Sequence, residues 1–289
     1  MTLATIRTES GTAAVRIDGG EAVELGSPDL SELLRREDWR ERAAAAAGAR
    51  HPLAAVAYAP LVPNPRKIIC VGLNYRSHIL EMGRELPAYP TLFAKFANAL
   101  LGANDDIVLP NVSDQVDWEA ELGVVIGTAV RRATLSWPPP AGSSSAGQVG
   151  AAIAGYTIVN DVSMRDWQWR TSEWLQGKTF EASTPVGPWL VTPDEIDAGH
   201  LDLRCDVDGD HRQHSNTSDL LFGPEDIIAY VSQFTTLEPG DLIATGTPGG
   251  VGAGREPKLF LRDGQKLITT IDGLGQLSNY CVAERPESR

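Results

Sequence analysis

The sequence predicts a mixed β fold with short helices, in which a small N-terminal α+β domain over residues 1–65 precedes a larger domain over residues 66–289. Two observations predict the strands of the larger domain. Apolar side chains alternate with other residues over 117–127, which is the period of a strand with two different faces. Nearly continuous apolar runs, typical of buried strands, cover residues 67–73 and 153–162.

The N-terminal domain begins with a predicted hairpin. Residues 13–17 and 21–25 flank Asp18-Gly19-Gly20, and glycine tolerates the positive φ of a tight turn. Residues 27–31 then open a helix that an Asp or Ser can cap, and the alanine-rich stretch 40–50 favours a second helix. Prolines at positions 60, 63 and 65 mark the boundary at which helices stop. We find no candidate for chemistry in this domain.

Composition limits the possible partners. The net charge of −13 argues against nucleic acid and anionic lipid, which would repel the chain. No apolar run reaches the length of a membrane span, and the first residues lack the pattern of a secretion signal. Three widely separated cysteines, Cys70, Cys205 and Cys281, fit a reducing cytoplasm without disulfides or zinc. An anionic substrate would need a local cation to overcome the acidic field.

The strand over 67–73 is followed by a predicted short helix, which places His78 and Glu81 on one face at i and i+3. A carboxylate beside an imidazole raises the imidazole pKa and orients the ring, as a general base for water requires. The alternative is an incidental surface ion pair. Residues 91–96 predict the next strand, in which Lys95 is either an edge charge or a site residue.

Two glutamates share one face of the strand over 117–127. Glu119 and Glu121 point away from its apolar face, and adjacent carboxylates repel each other unless a cation or proton lies between them. The pair is therefore either a site for a hard divalent metal or the solvent-exposed face of a sheet. Asp161 ends the apolar run 153–162, where a carboxylate must be paired or bound to metal.

The remaining elements follow in order. A Pro-, Ser- and Gly-rich stretch over 137–147 predicts an exposed loop. Lys178 lies in a predicted turn near acidic residues and is either a surface charge or an anchor for an anionic substrate. Residues 225–237 predict a helix, whereas residues 201–207, 242–245, 267–271 and 277–282 predict strands. The glycine-rich loop 246–252 lacks a phosphate-loop lysine, but its backbone N–H groups and Thr247 could bind a carboxylate. The other four histidines are predicted to lie on the surface.

Five motifs in this order resemble the fumarylacetoacetate hydrolase family, in its acylpyruvate hydrolase and 2-oxo acid decarboxylase-like branch. They span residue 67 to the C-terminus and are Gly72-Leu73-Asn74-Tyr75 with His78 and Glu81, Asp117-Trp118-Glu119-Ala120-Glu121-Leu122-Gly123, Asn160-Asp161-Val162-Ser163 with Arg165-Asp166, Gly177-Lys178-Thr179-Phe180, and Thr245-Gly246-Thr247-Pro248 with Gly250-Val251-Gly252. Met164 and the proline-rich insertion depart from the family pattern.

The resemblance implies a β-roll catalytic domain behind a small N-terminal domain, assembled as a homodimer. It implies that Glu119, Glu121 and Asp161 bind Mg²⁺ or Mn²⁺, although oxygen ligands also accept Ca²⁺. It further implies that His78 and Glu81 activate water and that Lys178 corresponds to the lysine of the family's active site. Substrate contacts are implied for Thr247, Arg165 and Gln168.

The predicted function is a metal-dependent C–C bond hydrolase that acts on a 1,3-diketo acid of the acylpyruvate or fumarylpyruvate type through a metal-bound enolate. The alternative is a decarboxylase or keto–enol isomerase of 2-oxo dicarboxylic acids, such as oxaloacetate or catechol-pathway intermediates. The same enolate chemistry serves both, and His78 with Glu81 favours hydrolysis. A different class of function is a non-catalytic module that binds 2-oxo acids.

Overall fold

The computed structural model of the chain describes residues 1–134, 137 and 149–285. Within these residues the strands of the first half are β1 (Thr2–Thr8), β2 (Gly11–Asp18), β3 (Glu21–Glu24), β4 (Arg50–Pro52), β5 (Ala57–Tyr58), β6 (Ile68–Gly72), β7 (Thr91–Lys95), β8 (Leu100–Leu101), β9 (Ile107–Leu109), β10 (Val116–Asp117) and β11 (Ala120–Ile126). Those of the second half are β12 (Ile153–Asn160), β13 (Ser163–Met164), β14 (Thr184–Val191), β15 (Asp202–Val207), β16 (Asp210–Asn216), β17 (Leu242–Ala244), β18 (Lys266–Ile271) and β19 (Gly275–Ala283). The helices are α1 (Leu30–Leu34), α2 (Trp39–Ala45), α3 (Arg76–Glu81), α4 (Arg165–Gln168), α5 (Leu175–Lys178) and α6 (Pro224–Val231). The predicted mixed β fold with short helices is confirmed.

One large sheet contains most of the described strands, with the strand order β4-β3-β2-β1-β14-β12-β11-β17-β6-β7. Its centre is the antiparallel pair β11 and β12, in which Leu122 lies opposite Ile158. A second sheet of order β16-β15-β18-β19-β9 packs nearby and contains the predicted C-terminal hairpin as β18 and β19. The two sheets share one hydrophobic core.

The predicted strand over 117–127 forms two strands with a break at Trp118 and Glu119. The break arises because β10 pairs with β13 in a separate two-stranded ladder, whereas β11 pairs with β12 and β17. The predicted apolar face is confirmed, because Trp118, Ala120, Leu122, Val124 and Ile126 all belong to the same core cluster.

The idea of a solvent-exposed second face on this strand is wrong. Every residue of β11 is buried, and Val125 on that second face packs in a different core cluster. Covering layers on both sides of the sheet bury Glu121 to 1% exposure. A carboxylate so deeply buried requires paired partners or a cation, which excludes the surface interpretation of the glutamate pair.

The N-terminal hairpin of β2 and β3 turns at Gly19, whose φ is +59°, as predicted. Asp29 caps α1 by accepting a hydrogen bond from the N–H of Glu32 at 2.9 Å. The helix predicted over 40–50 ends at Ala45, because the chain becomes extended at Ala46 and then pairs as β4 with β3. Strand β1 pairs with β14, so residues 1–65 continue the main sheet, and their status as a separate domain stays a prediction.

Helix α6 begins as predicted near residue 225 but ends at Val231, not at Leu237. Its C-terminal turn gives way to a bridge in which Leu237 pairs with Val130. No helix in the described part of the chain is long and apolar enough to cross a membrane. The predicted loop over 137–147 lies outside the described residues except for Trp137, whose indole N–H donates to the carbonyl of Ala88 at 2.9 Å.

Candidate metal centre and active site

Three carboxylates converge where β11 and β12 meet. Glu119 precedes β11, Glu121 is its second residue, and Asp161 directly follows β12. The N–H of Asp161 donates to the carbonyl of Glu119 at 2.8 Å, which fixes the two strand ends side by side. One oxygen from each carboxylate lies within 4.8 Å of the other two, and all three residues are buried.

Two buried lysines neutralise part of this acidic cluster. Lys178 Nζ donates to Glu119 Oε2 at 2.7 Å and to Asp161 Oδ2 at 2.8 Å. Lys95 Nζ donates to Asp161 Oδ1 at 2.6 Å, and its side chain is fully buried. Both lysines therefore contact the acidic cluster, and for Lys95 burial excludes the alternative of a solvent-exposed edge charge. Lys178 also lies 4.9 Å from the ring of Phe93, on the strand that carries Lys95.

A third cation joins the cluster through a network that the sequence did not reveal. Arg165 Nη1 lies 2.6 Å from Glu119 Oε1, and Arg165 Nε donates to Asp117 Oδ2 at 2.9 Å. Arg165 Nη1 also donates to the side-chain oxygen of Gln168 at 2.8 Å. Asp117 further accepts the N–H groups of Gly252 and Ala253 at 2.7 and 2.9 Å. The glycine-rich loop thus does bind a carboxylate, and that carboxylate belongs to Asp117.

The carboxylates differ in the electrostatics that they experience. Burial raises the pKa of Glu121 well above its ordinary value, and the charges of Asp161 and Glu119 raise it further. Burial would also raise the pKa of Asp161, but Lys178 and Lys95 outweigh it and lower the pKa to about 2. For Lys178, burial lowers the pKa, whereas Asp161 and Glu119 raise it and the net effect is a rise.

These residues fit a divalent cation. The donor set is three carboxylates, and a hard ion such as Mg²⁺ or Mn²⁺ prefers oxygen ligands. Glu121 has no Lys or Arg nitrogen within salt-bridge distance in the described part of the chain, and its hydrogen bond comes from the N–H of Gly246 at 2.7 Å. A cation bound by the three carboxylates would compensate the buried charge of Glu121.

The acidic cluster forms the floor of a cavity of about 480 Å³. Its walls carry His78 and Glu81 from α3, Arg84, Trp169, Trp174, Thr247 and backbone of the glycine-rich loop. The cavity therefore contains Glu119, Glu121, Lys178, Arg165, Gln168 and Thr247 together with the predicted histidine–glutamate pair. Asp161 lies beneath this lining with its oxygens on the two lysines.

The predicted effect on His78 is corrected by the structure. Burial lowers the pKa of His78, and the opposing charges of Glu81 and Glu119 do not restore it to its ordinary value. The imidazole is thus held neutral near pH 7, which a proton acceptor requires.

The hydroxyl of Thr247, the predicted contact for a substrate carboxylate, already has a partner. It donates a hydrogen bond to the carbonyl of Ala120 at 2.9 Å. Thr247 must break this hydrogen bond before its hydroxyl can donate to a substrate.

The four remaining histidines were predicted on the surface. His200 and His211 are exposed and lie 2.9 and 2.8 Å from Asp197 and Asp206. His214 is exposed as well, whereas the partly buried His51 lies 2.8 Å from Glu24. None of the four lines the site cavity.

Comparison with known proteins identifies the family to which the chain belongs. The chain matches the family model described as fumarylacetoacetate (FAA) hydrolase C-terminal over residues 67–282. Oxaloacetate tautomerase Fahd2a, mitochondrial, from Rattus norvegicus is 44% identical over 276 residues, which cover 91% of this chain and 85% of the relative.

Two solved structures extend the comparison. A 5-carboxymethyl-2-hydroxymuconate delta-isomerase from Mycobacterium smegmatis superposes with a TM-score of 0.79 and 34% identity, over 99% of this chain and 100% of the other. Maleylpyruvate hydrolase from a Sphingobium species, in complex with manganese(II) and pyruvate, has a TM-score of 0.79 and 29% identity over the same shares. The chain is therefore an enzyme of the fumarylacetoacetate hydrolase family.

Proposed function

We propose that this enzyme catalyses the keto–enol tautomerisation of a 2-oxo dicarboxylic acid of the oxaloacetate type. The observation that carries the proposal is a buried cluster of oxygen ligands and cations below a neutral imidazole, in one cavity. The sequence favoured C–C bond hydrolysis and gave keto–enol isomerisation as the alternative, whereas we now place isomerisation first. Tautomerisation needs an acid–base group and stabilised enolate charge, but it needs no attacking water.

Each residue has a role in this proposal. Mg²⁺ or Mn²⁺ bound by Glu119, Glu121 and Asp161 would act as a Lewis acid on the 2-oxo group of the substrate. Lys178 and Arg165 supply fixed positive charge beside the same oxygens. Ketonisation of the enol removes a proton from its hydroxyl oxygen and adds one to C3, so no atom is gained or lost overall. His78 would transfer that proton, and the charge of Glu81 on the same cavity wall favours the protonated imidazole.

The relatives support tautomerisation over hydrolysis as the main activity. The rat relative named as an oxaloacetate tautomerase shares 44% identity across 91% of this chain, whereas the maleylpyruvate hydrolase shares 29%. Hydrolysis of an acylpyruvate is the second candidate. The paired placement of His78 and Glu81 on one cavity wall favours it, because a neutral imidazole could equally activate water.

A direct comparison of two reactions tests the proposal. The Mn²⁺-loaded protein should accelerate ketonisation of the oxaloacetate enol well above the spontaneous rate. The reaction is monitored by the decrease in the ultraviolet absorbance of the enol. Acetylpyruvate should be cleaved much more slowly, and the His78→Ala variant should lose the tautomerase activity. Efficient cleavage of acetylpyruvate without acceleration of ketonisation would instead establish the hydrolase. Intact Mn²⁺ and oxalate binding without turnover of any diketo acid would support the non-catalytic module.

Three further predictions accompany this function. The oxygen-only donor set supports Mg²⁺ or Mn²⁺, with Ca²⁺ also accepted by such ligands. A homodimer is proposed from the family resemblance. The cytoplasmic location rests on cysteine usage and stays a prediction, because the rat relative carries the word mitochondrial in its name.

A further inference from the structure

Three cationic side chains line the cavity, and two of them are already neutralised. Lys178 bridges Glu119 and Asp161, and Arg165 bridges Glu119 and Asp117. Arg84 also lines the cavity, but its guanidinium has no carboxylate within 4 Å among the residues that the structure describes. Arg84 is thus the cavity cation whose charge remains available to a ligand.

We propose that Arg84 binds the distal carboxylate of the substrate and selects dicarboxylic over monocarboxylic 2-oxo acids. The inference rests on the proposed function, which supplies the 2-oxo acid end of the ligand. It names a specificity determinant at the rim, separate from the carboxylates and lysines of the floor.

The backbone fixes Arg84 relative to the acid–base pair. Helix α3, which carries His78 and Glu81, ends at Glu81, and Gly83 just beyond it adopts the left-handed conformation with a φ of +67°. The N–H of Arg84 then donates back to the carbonyl of Ile79 at 3.2 Å, and the N–H of Gly83 donates to that of Leu80 at 2.9 Å. This C-terminal cap holds the backbone of Arg84 on the helix of the acid–base pair. The charge of Arg84 is also close enough to lower the pKa of His78.

Charge balance explains why a dicarboxylate needs this arginine. The four carboxylates of the floor outnumber its three cations by one, and the divalent ion of the proposed function would reverse this to a single positive charge. The carboxylate at the 2-oxo end of the substrate would neutralise that charge, and the whole chain carries a net charge of −13. A second substrate carboxylate at the rim would also meet Glu81. A guanidinium pairs with a carboxylate through two parallel hydrogen bonds, so Arg84 offsets this repulsion with directional contacts. A monocarboxylic acid gains nothing from it.

A nearby lysine provides a matched control. Lys258 Nζ lies 5.9 Å from the ring of Trp169, whose side chain is part of the cavity wall. Lys258 itself does not line the cavity. A general electrostatic attraction of anions would depend on both cations, whereas a specific contact depends on Arg84 alone.

The test compares oxaloacetate with pyruvate, which lacks the distal carboxylate. Binding of each to the Mg²⁺-loaded protein is measured by rapid-mixing fluorescence of the cavity tryptophans, for wild type and for Arg84→Gln, Arg84→Lys and Lys258→Gln. Arg84→Gln should lower the affinity for oxaloacetate about tenfold, because a hydrogen-bonded pair of charged groups is lost. Pyruvate affinity should stay within about twofold of wild type. Arg84→Lys should recover part of the loss, and Lys258→Gln should behave as wild type.

Equal weakening of both ligands by Arg84→Gln, or no weakening of either, would overturn the inference. So would a wild-type protein that binds pyruvate as tightly as oxaloacetate. The binding readout is independent of turnover. Arg84-dependent oxaloacetate binding without accelerated ketonisation would contradict the proposed function and support the specificity role of Arg84. Accelerated ketonisation that is insensitive to Arg84→Gln would support the proposed function and contradict the specificity role.

Discussion

Among the three clustered carboxylates, Glu121 has the least compensated burial. Glu119 contacts Lys178 and Arg165, and Asp161 contacts two lysines, whereas Glu121 accepts a single backbone hydrogen bond from Gly246. Its raised pKa reflects this difference. A bound cation should therefore contribute more at Glu121 than at the other two carboxylates, which makes this residue the sharpest probe of the metal site.

Replacement of Glu121 by Gln should abolish metal-dependent stabilisation. Gln keeps an oxygen for the N–H of Gly246 but removes the charge that attracts the ion. A ligand present at 100 times its Kd stabilises a protein by about 2.7 kcal/mol, and this increment should disappear from thermal unfolding with MnCl₂. The metal-free variant should be at least as stable as wild type, because a poorly compensated buried charge is removed.

The matched control is Glu225→Gln. Burial also raises the pKa of Glu225, but this residue lies on α6 and does not line the cavity. Its metal-dependent increment should equal that of wild type. Full Mn²⁺ stabilisation of Glu121→Gln would show that the carboxylate is not a ligand.

The three clustered carboxylates could be singled out from the sequence, but their surroundings could not. Glu119, Glu121 and Asp161 were found because two acids at period two and one at the end of an apolar run are conspicuous. Asp117 was missed as part of the cluster, and for Lys95 the sequence left open the choice between an edge charge and a site residue. Their roles depend on contacts across 66 and 48 residues, to Asp161 and Arg165, and no local pattern reports such contacts.

Activity should fall in acid because His78 must be neutral to accept a proton. Burial lowers its pKa below the ordinary 6.5, so kcat/KM should decline only below that pH. Glu81 opposes this shift, and Glu81→Gln should move the acid limb to still lower pH. The measurement is the pH profile of kcat/KM at saturating Mn²⁺. An unchanged or raised limb in Glu81→Gln would show that the limb does not report His78.

The same pKa shift has a defined effect on stability. Between the folded pKa of His78 and the ordinary value of 6.5, the unfolded chain binds the proton more tightly than the folded protein. The contribution of His78 to the free energy of unfolding is therefore complete above pH 6.5 and decreases as the pH falls through this window. His78→Gln, which cannot titrate, should lack this component.

At the scale of elements, the glycine-rich loop places backbone where side chains would not fit. A Cβ on Gly252 would lie 1.9 Å from the carbonyl oxygen of Leu259 and 2.8 Å from Asp117 Oδ1. The close approach lets the N–H of Gly252 donate to Asp117, which in turn holds Arg165. The sequence predicted an anion-binding loop, but it could not show that the anion is a side chain of the same protein.

One glycine of this loop leaves room for the acid–base pair. A Cβ on Gly249 would lie 3.2 Å from His78 Nδ1 and 3.3 Å from Glu81 Oε2, so both side chains would have to move by a few tenths of an ångström. Gly249→Ala should lower kcat about threefold to tenfold, since misplacement of about 1 Å can cost 100-fold. Metal affinity should not change.

Gly254→Ala is the control for this substitution. Gly254 lines the cavity, and its added Cβ would be 3.6 Å from Val251 Cγ2, an ordinary contact. Steady-state kinetics together with Mn²⁺ titration separates the two effects. Equal loss of kcat in both variants would indicate a general disturbance of the loop and contradict a specific role for Gly249.

At the scale of the whole molecule, the first 65 residues and the remainder share both a sheet and a core. Strand β1 hydrogen-bonds to β14, with Thr2 opposite Val191 and Leu3 opposite Leu190. One core cluster combines N-terminal side chains with side chains from β11, β12 and β14. A sequence boundary marked by prolines indicates a change of element, but it carries no information on which strands pair across it.

Removal of residues 1–65 should therefore prevent stable folding of the remainder. The fragment 66–289 would expose one edge of β14 and the apolar side chains that pack on Leu30, Leu33 and Trp39, and exposed strand edges promote aggregation. Size-exclusion chromatography of the purified fragment should show aggregates, and thermal unfolding should lack a cooperative transition. Co-expression with residues 1–65 as a separate chain should restore part of the soluble material. A monodisperse fragment 66–289 that unfolds cooperatively and binds Mn²⁺ would show that the larger segment is an independent domain, and the shared sheet would then be an interface between two folded units.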